Sequence, residues 1–331
     1  MFDGYVENVY ISDLTYLDKY VTGISSIYTI HRRNKELPYT TSAQGRNLNQ
    51  LMKKLYSELS ERIGFGCYSF MNKNTHILNL HNLKVKNCST NKLGLGKNSI
   101  FGSMDTTGTA AGEKSKNVLN KAVFELLEKN ELYLFWYLNN GTRLDINKPI
   151  ELFLRRQGMD KFENYFFEVQ SLSIYPTIIY VAILNNHIVA TGISCANYKY
   201  EALKNAIAEA KIVYMFNLIR GSFFLDFSED KHKQACDFVR NNNFINNYLK
   251  ARKIVKHSLL NFKISCEIEN LSVYLNCFFS IKKSPKIVSA VSTTLLKCTP
   301  FKDNIMMSKS NIFLKRHPCP ELVSHVDCIV V

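Results

Sequence analysis

Two stretches far apart in the chain each carry Glu-x-x-Glu followed by a base. The first, SAQGRNLNQLMKKLYSELSER over residues 42–62, ends in Glu58, Glu61 and Arg62; the second, over residues 106–136, contains Glu125, Glu128 and Lys129. Glutamates three apart on a helix are neighbours on one face, about 5–6 Å apart at Cβ. Two such helices packed face to face gather four carboxylates, hard oxygen donors suited to a divalent cation whose shell substrate phosphates complete. Glu-x-x-Glu is also common on solvated helix faces, so the neighbours decide. Glu125 and Glu128 share an arc with Val118, Phe124, Leu132 and Phe135; Glu209, on a third helix, sits between Ala202, Ile212 and Phe216; Glu58 lies beside Leu48, Leu51, Leu55 and Leu59. Carboxylates among apolar residues are costly unless paired or metal-bound. Lys121, one turn before Glu125, offers the plainer alternative of an ion pair.

The elements that position these residues follow from periodicity and turn residues. Strands are expected near 21–30, 67–70 and 76–80, with a helix over 48–62 among them. A loop with Gly94, Gly96, Gly102, Gly108 and Gly112 leads into a helix over 115–137. Its glycines are not at phosphate-loop spacing, so the loop alone does not assign an anion site. TIIYVAIL, Asn185-Asn186 and HIVATGIS read as a β-hairpin over 177–194. A helix over 199–219 follows, then one over about 230–254 interrupted near 241–243, then mixed strands. The recurrence of strand, glycine-containing turn and acidic helix suggests internal pseudo-symmetry.

The 331 residues suffice for a large core, and 46% hydrophobic with 12% aromatic residues exclude disorder. The formal charge of +14 suits a polyanion such as ATP or an acidic peptide, or a generally basic surface. Lysines and arginines are scattered, with neither an aromatic-interleaved basic motif nor zinc-finger spacing, which argues against nucleic acid. Nine cysteines, an odd number without Cys-x-x-Cys, read as reduced thiols, and with no basic-then-apolar leader the expectation is a cytoplasmic protein. No apolar run reaches the roughly 18 residues of a membrane span.

In the same order along the chain, five segments resemble the YcaO family, whose members use ATP to activate backbone amides. VTGISSIY (21–28) is similar to the family's Thr-Gly-Ile-Val-Ser strand. The 42–62 segment resembles its first Glu-x-x-Glu-Arg helix. GTAAG followed by ELLEK (108–129) is similar to Gly-Leu-Ala-Ala-Gly and the second Glu-x-x-Glu-Arg. YEALKNAIAEA resembles Ala-Leu-x-x-Ala-Leu-x-Glu-Ala, and HPCP (317–320) the Pro-x-Pro tail of azole-forming members. The departures are Gln44 for a Lys, Lys54 for a Ser, Glu113 and Asn117 as if interchanged, Lys129 for an Arg, and Ile212 and Tyr214 for the Gln and Arg after Glu209. Lys129 keeps the charge but loses the bidentate fork.

The resemblance implies one α+β domain over 1–331, mixed sheets packed with helices, with a Pro-x-Pro tail over 317–331. It implies ATP and Mg2+ as cofactors, with Glu58, Glu61, Glu125 and Glu128 as metal ligands. Lys129, Glu209, Glu113 and Asn117 are expected at the nucleotide, and Pro318 and Pro320 in the catalytic tail. The implied reaction is cyclodehydration: a Cys, Ser or Thr side chain of a precursor peptide attacks the preceding carbonyl, ATP phosphorylates that oxygen, and loss of phosphate leaves a thiazoline or oxazoline. Thioamide and amidine formation are the other products of the family. No leader-binding module is visible, so a partner subunit that captures the precursor peptide is expected, in toxin or antibiotic biosynthesis. A non-catalytic scaffold or regulatory subunit of such a complex is the alternative.

Overall fold

Helix α2 (Ser115–Leu138) is buried on every side from Leu126 to Tyr137. A helix without a solvent face needs cover on both flanks, and two β-sheets supply it. The computed structural model describes residues 6–11, 21–27, 31–32, 35–36, 40–68, 74–93, 96–99, 101–220, 228–241, 244, 254–256, 263–265, 267–275 and 285–330.

Three antiparallel sheets carry the architecture. The first has the order β1-β2-β5 (Val6–Ile11, Val21–Ile27, Thr40–Gly45). The second runs β10-β18-β17-β6-β7 (Thr109–Gly112, Lys286–Val291, Ser272–Leu275, Asn74–Asn79, Val85–Ser89). The third runs β11-β12-β13-β14 (Thr142–Leu144, Glu163–Val169, Thr177–Leu184, His187–Cys195). Short pairs add β3-β4 (His31–Arg32, Lys35–Glu36), β8-β9 (Gly96–Ser99, Gly102–Met104) and β15-β16 (Ile254–Lys256, Lys263–Ser265).

Three helices alternate with the three sheets. Helix α1 (Leu48–Tyr68) packs on the first and second sheets, α2 on the second and third, and α4 (Lys199–Arg220) on the third and first, so the sequence of layers closes into a ring. Side-chain alternation along β18 separates α1 from α2. Ile287 and Val291 face α1, against Gly64 and Phe65, whereas Val288 and Ala290 face α2. The two acidic helices therefore do not lie face to face as their patterns predict. They cover opposite faces of the second sheet and both reach its edge strand β10. On the third sheet Ile179, Val181 and Ile193 face α2, while Ile178, Tyr180 and Ala190 face Ala202, Ala206 and Ala210 of α4. That alanine stripe lets α4 approach β14 so closely that a Cβ at Gly192 would lie 2.0 Å from the Ala206 carbonyl oxygen.

The hairpin is as expected: Asn185 (φ 51°) and Asn186 (φ 61°) form the left-handed two-residue turn between β13 and β14. Two expectations fail. Cys67 and Tyr68 are the last turn of α1 rather than a strand, because Phe65 extends the helix's apolar face onto Tyr274 and Val291; residues 69–70 lie outside the described residues. Helix α5 (Glu229–Asn241) stops at the expected interruption, and residues 242–243 and 245–253 lie outside the described residues; the departure is at Ile254, which opens strand β15, paired with Lys263–Ser265. The strand expected over 21–30 is β2, with residues 28–30 outside the described residues.

Candidate functional site: an acid cluster between three helices

Edge strands expose unpaired backbone groups, and the acidic helices answer them. Glu58 Oε2 accepts the Ser42 N–H of β5 at 3.0 Å, and Lys54 donates to the Gln44 carbonyl at 2.7 Å. On β14, Glu209 Oε2 accepts the Ile193 N–H at 2.8 Å and Glu128 Oε2 the Cys195 N–H at 3.0 Å. Three of the five acids thus cap strand edges. Each has a cation or further acids beside it: Arg62 is 2.8 Å from Glu58, and Lys129 is 3.7 Å from Glu128 and also acts on Glu209.

Glu61 and Glu125 differ. Neither makes a hydrogen bond among the described residues, and they interact with each other's charge from α1 and α2. Burial pushes the Glu61 carboxyl up to about 8, with Glu125 and Glu58 adding to the shift and Lys121 opposing it. Burial raises Glu125 to about 7 against Lys121, Lys129 and Lys297. Burial also holds Glu128 well above the usual carboxylate range and raises Glu209. It works against the Lys129 ammonium too, but Glu128, Glu209 and Glu125 outweigh it and keep that group charged.

Sequence reasoning missed two residues here. Lys297 is buried in the loop after β18, where its ammonium donates to the Thr107 carbonyl and approaches Thr109 Oγ1 at 3.4 Å. Burial depresses it to about 8, opposed by Glu125, Asp105 and Glu61. Asp105 accepts the Thr107 and Thr299 N–H groups, both at 2.7 Å, and so clasps the 105–109 turn to the 297–299 loop. Gly108 lies between them at φ 68°, where a Cβ would meet Leu126 Cβ at 3.1 Å and Lys297 Nζ at 3.2 Å. The available signal was that Lys297 is the one charged residue in IVSAVSTTLLKC, residues 287–298.

Other expected site residues stand apart. Glu113 and Asn117 are exposed at the start of α2 and touch none of the acids. Pro318 and Pro320 are exposed too, and the residues beside them sit on the far turns of α2: the Tyr133 hydroxyl donates to the His317 carbonyl, and Cys319 Sγ lies 3.5 Å from the Tyr137 carbonyl. Tyr137 is nine residues past Glu128, about 13 Å along the helix. The residues flanking both prolines are thus bonded to turns of α2 beyond Glu128 rather than to the acids. The chain end returns instead: Cys328 is buried within the influence of Lys129, and the Ile329 carbonyl accepts from Thr191. Two of the altered positions also point elsewhere. Gln44 bonds Thr22 and Gln157, and Tyr214 packs on Phe162 and accepts from Lys161.

No family profile and no curated protein matches the sequence. Solved structures do match. A YcaO from Methanopyrus kandleri bound with AMPPCP and Mg2+ superposes with a TM-score of 0.66 at 10% identity, over 93% of this chain and 88% of that one. The chain has the YcaO fold. The E. coli microcin synthetase McbBCD complex gives 0.60 at 14% identity, over 87% and 88%. A heterocyclase in complex with substrate and cofactor gives 0.58 at 11%, over 88% of this chain but 50% of the other.

As arranged, no three carboxylate, imidazole or thiol groups among the described residues lie close enough to cage a metal ion. The donor set nevertheless fits magnesium, which is commonly held by one or two carboxylates plus phosphate oxygens rather than by an all-protein cage. Of the five acids, Glu61 and Glu125 are the two with no N–H donor committed to them among the described residues.

A pH dependence follows. Glu61 and Glu125 bind protons more tightly in the folded chain, at about 8 and about 7, than at their ordinary value of 4.5. Their favourable contribution is full below the unfolded value and is lost as pH rises through the folded values. The melting temperature of the metal-free protein is expected to fall between about pH 5 and pH 8, and Glu125→Gln to flatten that fall. Scanning calorimetry across the range checks it; a flat wild-type profile refutes it.

Proposed function

We propose that this chain is an ATP- and Mg2+-dependent cyclodehydratase that forms azolines on a precursor peptide, with a partner subunit to capture that peptide. The observation that carries the reading is that Glu61 and Glu125, on two helices covering opposite faces of one sheet, are buried and half-buried, lack hydrogen bonds among the described residues and feel each other's charge, with Lys129 and Lys297 acting on Glu125. Proteins of the same fold support it: one is bound with AMPPCP and Mg2+, one is a microcin synthetase complex with pro-MccB17 bound, and one is a heterocyclase in complex with substrate and cofactor.

In this reading Glu61 and Glu125 hold the cation, and Lys129 faces the phosphates as a point charge. A bound magnesium–nucleotide would supply the phosphoryl group that turns the peptide carbonyl oxygen into a leaving group. The chain's own work is positioning and charge stabilisation. Asp105 and Lys297 fix the 105–109 turn, and the strand-edge bonds of Glu128 and Glu209 fix α2 and α4 against β14. Overall, a peptide thiol or hydroxyl closes on the preceding carbonyl carbon, the carbonyl oxygen departs in phosphate, and ATP becomes ADP.

A non-catalytic scaffold is the second reading, favoured by the edge-capping use of Glu58, Glu128 and Glu209. Calorimetric titration of AMPPCP with and without MgCl2 separates the two. Magnesium-dependent binding is expected, together with loss of one water mass per ring from a Cys-containing precursor when the partner and ATP are present. Absence of both nucleotide binding and water loss leaves the scaffold.

A further inference from the structure

We propose that the outer edge of strand β7 is a docking site for an acidic, extended segment of the precursor peptide, which adds to the second sheet as a further strand. The inference rests on reading the chain as a peptide-modifying enzyme, and it places one hold on the peptide in this chain itself, beside that of the partner subunit.

The backbone supplies the first part of the site. Strand β7 ends the second sheet and pairs with β6 alone among the described residues. The Asn79 N–H donates to the Lys84 carbonyl at 3.0 Å, while the next N–H of that strand, at Leu80, donates the other way, to the Leu271 carbonyl at 2.8 Å. Antiparallel alternation then turns the backbone groups of Lys84, Lys86 and Cys88 toward β6 and those of Val85 and Asn87 outward. Glutamates close the edges of β5 and β14. Among the described residues neither a capping side chain nor a strand does so for β7. An open edge is a template for a further strand.

The side chains define the occupant. No acidic residue occurs between Glu61 and Asp105, a stretch that holds Lys73, Lys84, Lys86, Lys92 and Lys97. Lys84 and Lys86 are exposed on one face of β7, and Val85 stands on the other, 60% exposed. Beside them Leu83, 41% exposed, is held at φ 59°, a backbone conformation that leucine rarely adopts. The turn thus keeps an apolar side chain in water where Asn or Gly would be less strained. Glu269, next to the Asn270 that meets Asn79, is committed to Arg316 at 2.6 Å. A strand in which acids alternate with apolar residues matches both faces of β7. A second copy of this edge does not, because its lysines would lie opposite these.

The placement suits delivery. Strands β7 and β10 are the two edges of the five-stranded sheet, and α1 and α2 both reach β10. The sheet between them is about 19 Å wide, so a spacer of about six residues or more separates the segment held on β7 from the residue modified beside β10.

The probe is a labelled peptide of alternating Glu and Val, titrated with the full chain and followed by fluorescence anisotropy, with a peptide of alternating Lys and Val as control. The Glu–Val peptide is expected to bind, and more weakly as salt is raised. Asn87→Pro removes an outward N–H and leaves the bonds to β6 in place. That variant, and Lys84→Glu with Lys86→Glu, are each expected to weaken binding about tenfold or more. In the unmutated chain, hydrogen exchange at the Val85 and Asn87 amides is expected to slow when the probe binds, which decides the matter even if Asn87→Pro fails to fold. Equal binding of the Lys–Val peptide, or unchanged exchange at those two amides, overturns the docking site. With partner, ATP, MgCl2 and precursor present, Lys84→Glu with Lys86→Glu is expected to raise KM for the precursor about tenfold at unchanged kcat. An unchanged KM, with the probe still binding at β7 of the wild type, gives the edge to an acidic strand of the partner and overturns the substrate assignment. Failure of the wild type to bind AMPPCP with magnesium, alongside intact probe binding at β7, removes the nucleotide reading and leaves the edge as a site for an acidic strand.

Discussion

Glu125→Gln is expected to lower ATP-dependent peptide modification by about 100-fold or more while the fold persists. The carboxylate makes no hydrogen bond among the described residues that an amide must replace, and burial already raises its carboxyl to about 7, so the site tolerates a neutral side chain. Substitution by a neutral isostere thus leaves packing as it was and removes a ligand charge. Glu128→Gln is expected to fail similarly for a different reason. An amide oxygen still accepts the Cys195 N–H, but Lys129 loses the charge 3.7 Å away that helps hold it in place. Single-turnover mass spectrometry of the precursor peptide, with melting curves for both variants, checks these outcomes. Wild-type turnover in either variant would show that its carboxylate is architectural.

The second large effect is on stability. Gly192→Ala is expected to destabilise the chain by about 3 kcal/mol or more. The added Cβ would sit 2.0 Å from the Ala206 oxygen and 2.7 Å from the Ala210 nitrogen, both backbone atoms that no rotamer change can move aside. Helix α4 must lift off β14, which also strains the Glu209 bond to the Ile193 N–H. Gly158→Ala is the control. There φ is 61° and the nearest atom to the new Cβ is the tip of Lys211 at 3.6 Å, so only the left-handed backbone is penalised, at about 1–2 kcal/mol. Urea denaturation of both variants gives the comparison, and a Gly192→Ala protein as stable as wild type would contradict the close approach.

The sequence by itself determined the elements whose signals are local. The α2 pattern, the Asn-Asn hairpin and the alanine-spaced α4 are repeated choices of residue at fixed spacing, and each appears where its period places it. The acidic residues were legible for the same reason, since Glu125, Glu128 and Glu209 interrupt apolar arcs. Which acid does what was decided only by tertiary structure. Glu58 and Glu61 are three residues apart, yet one caps the β5 edge and the other is left with a charge from α2, because β5 offers an N–H at Ser42 that only Glu58 meets. The pairing of α1 with α2 across an edge strand depends on the alternation of β18, at the other end of the chain. Lys297 and Asp105 entered the site in the same way. Long-range contacts are set by how layers stack, and no local period encodes a neighbour so distant in sequence.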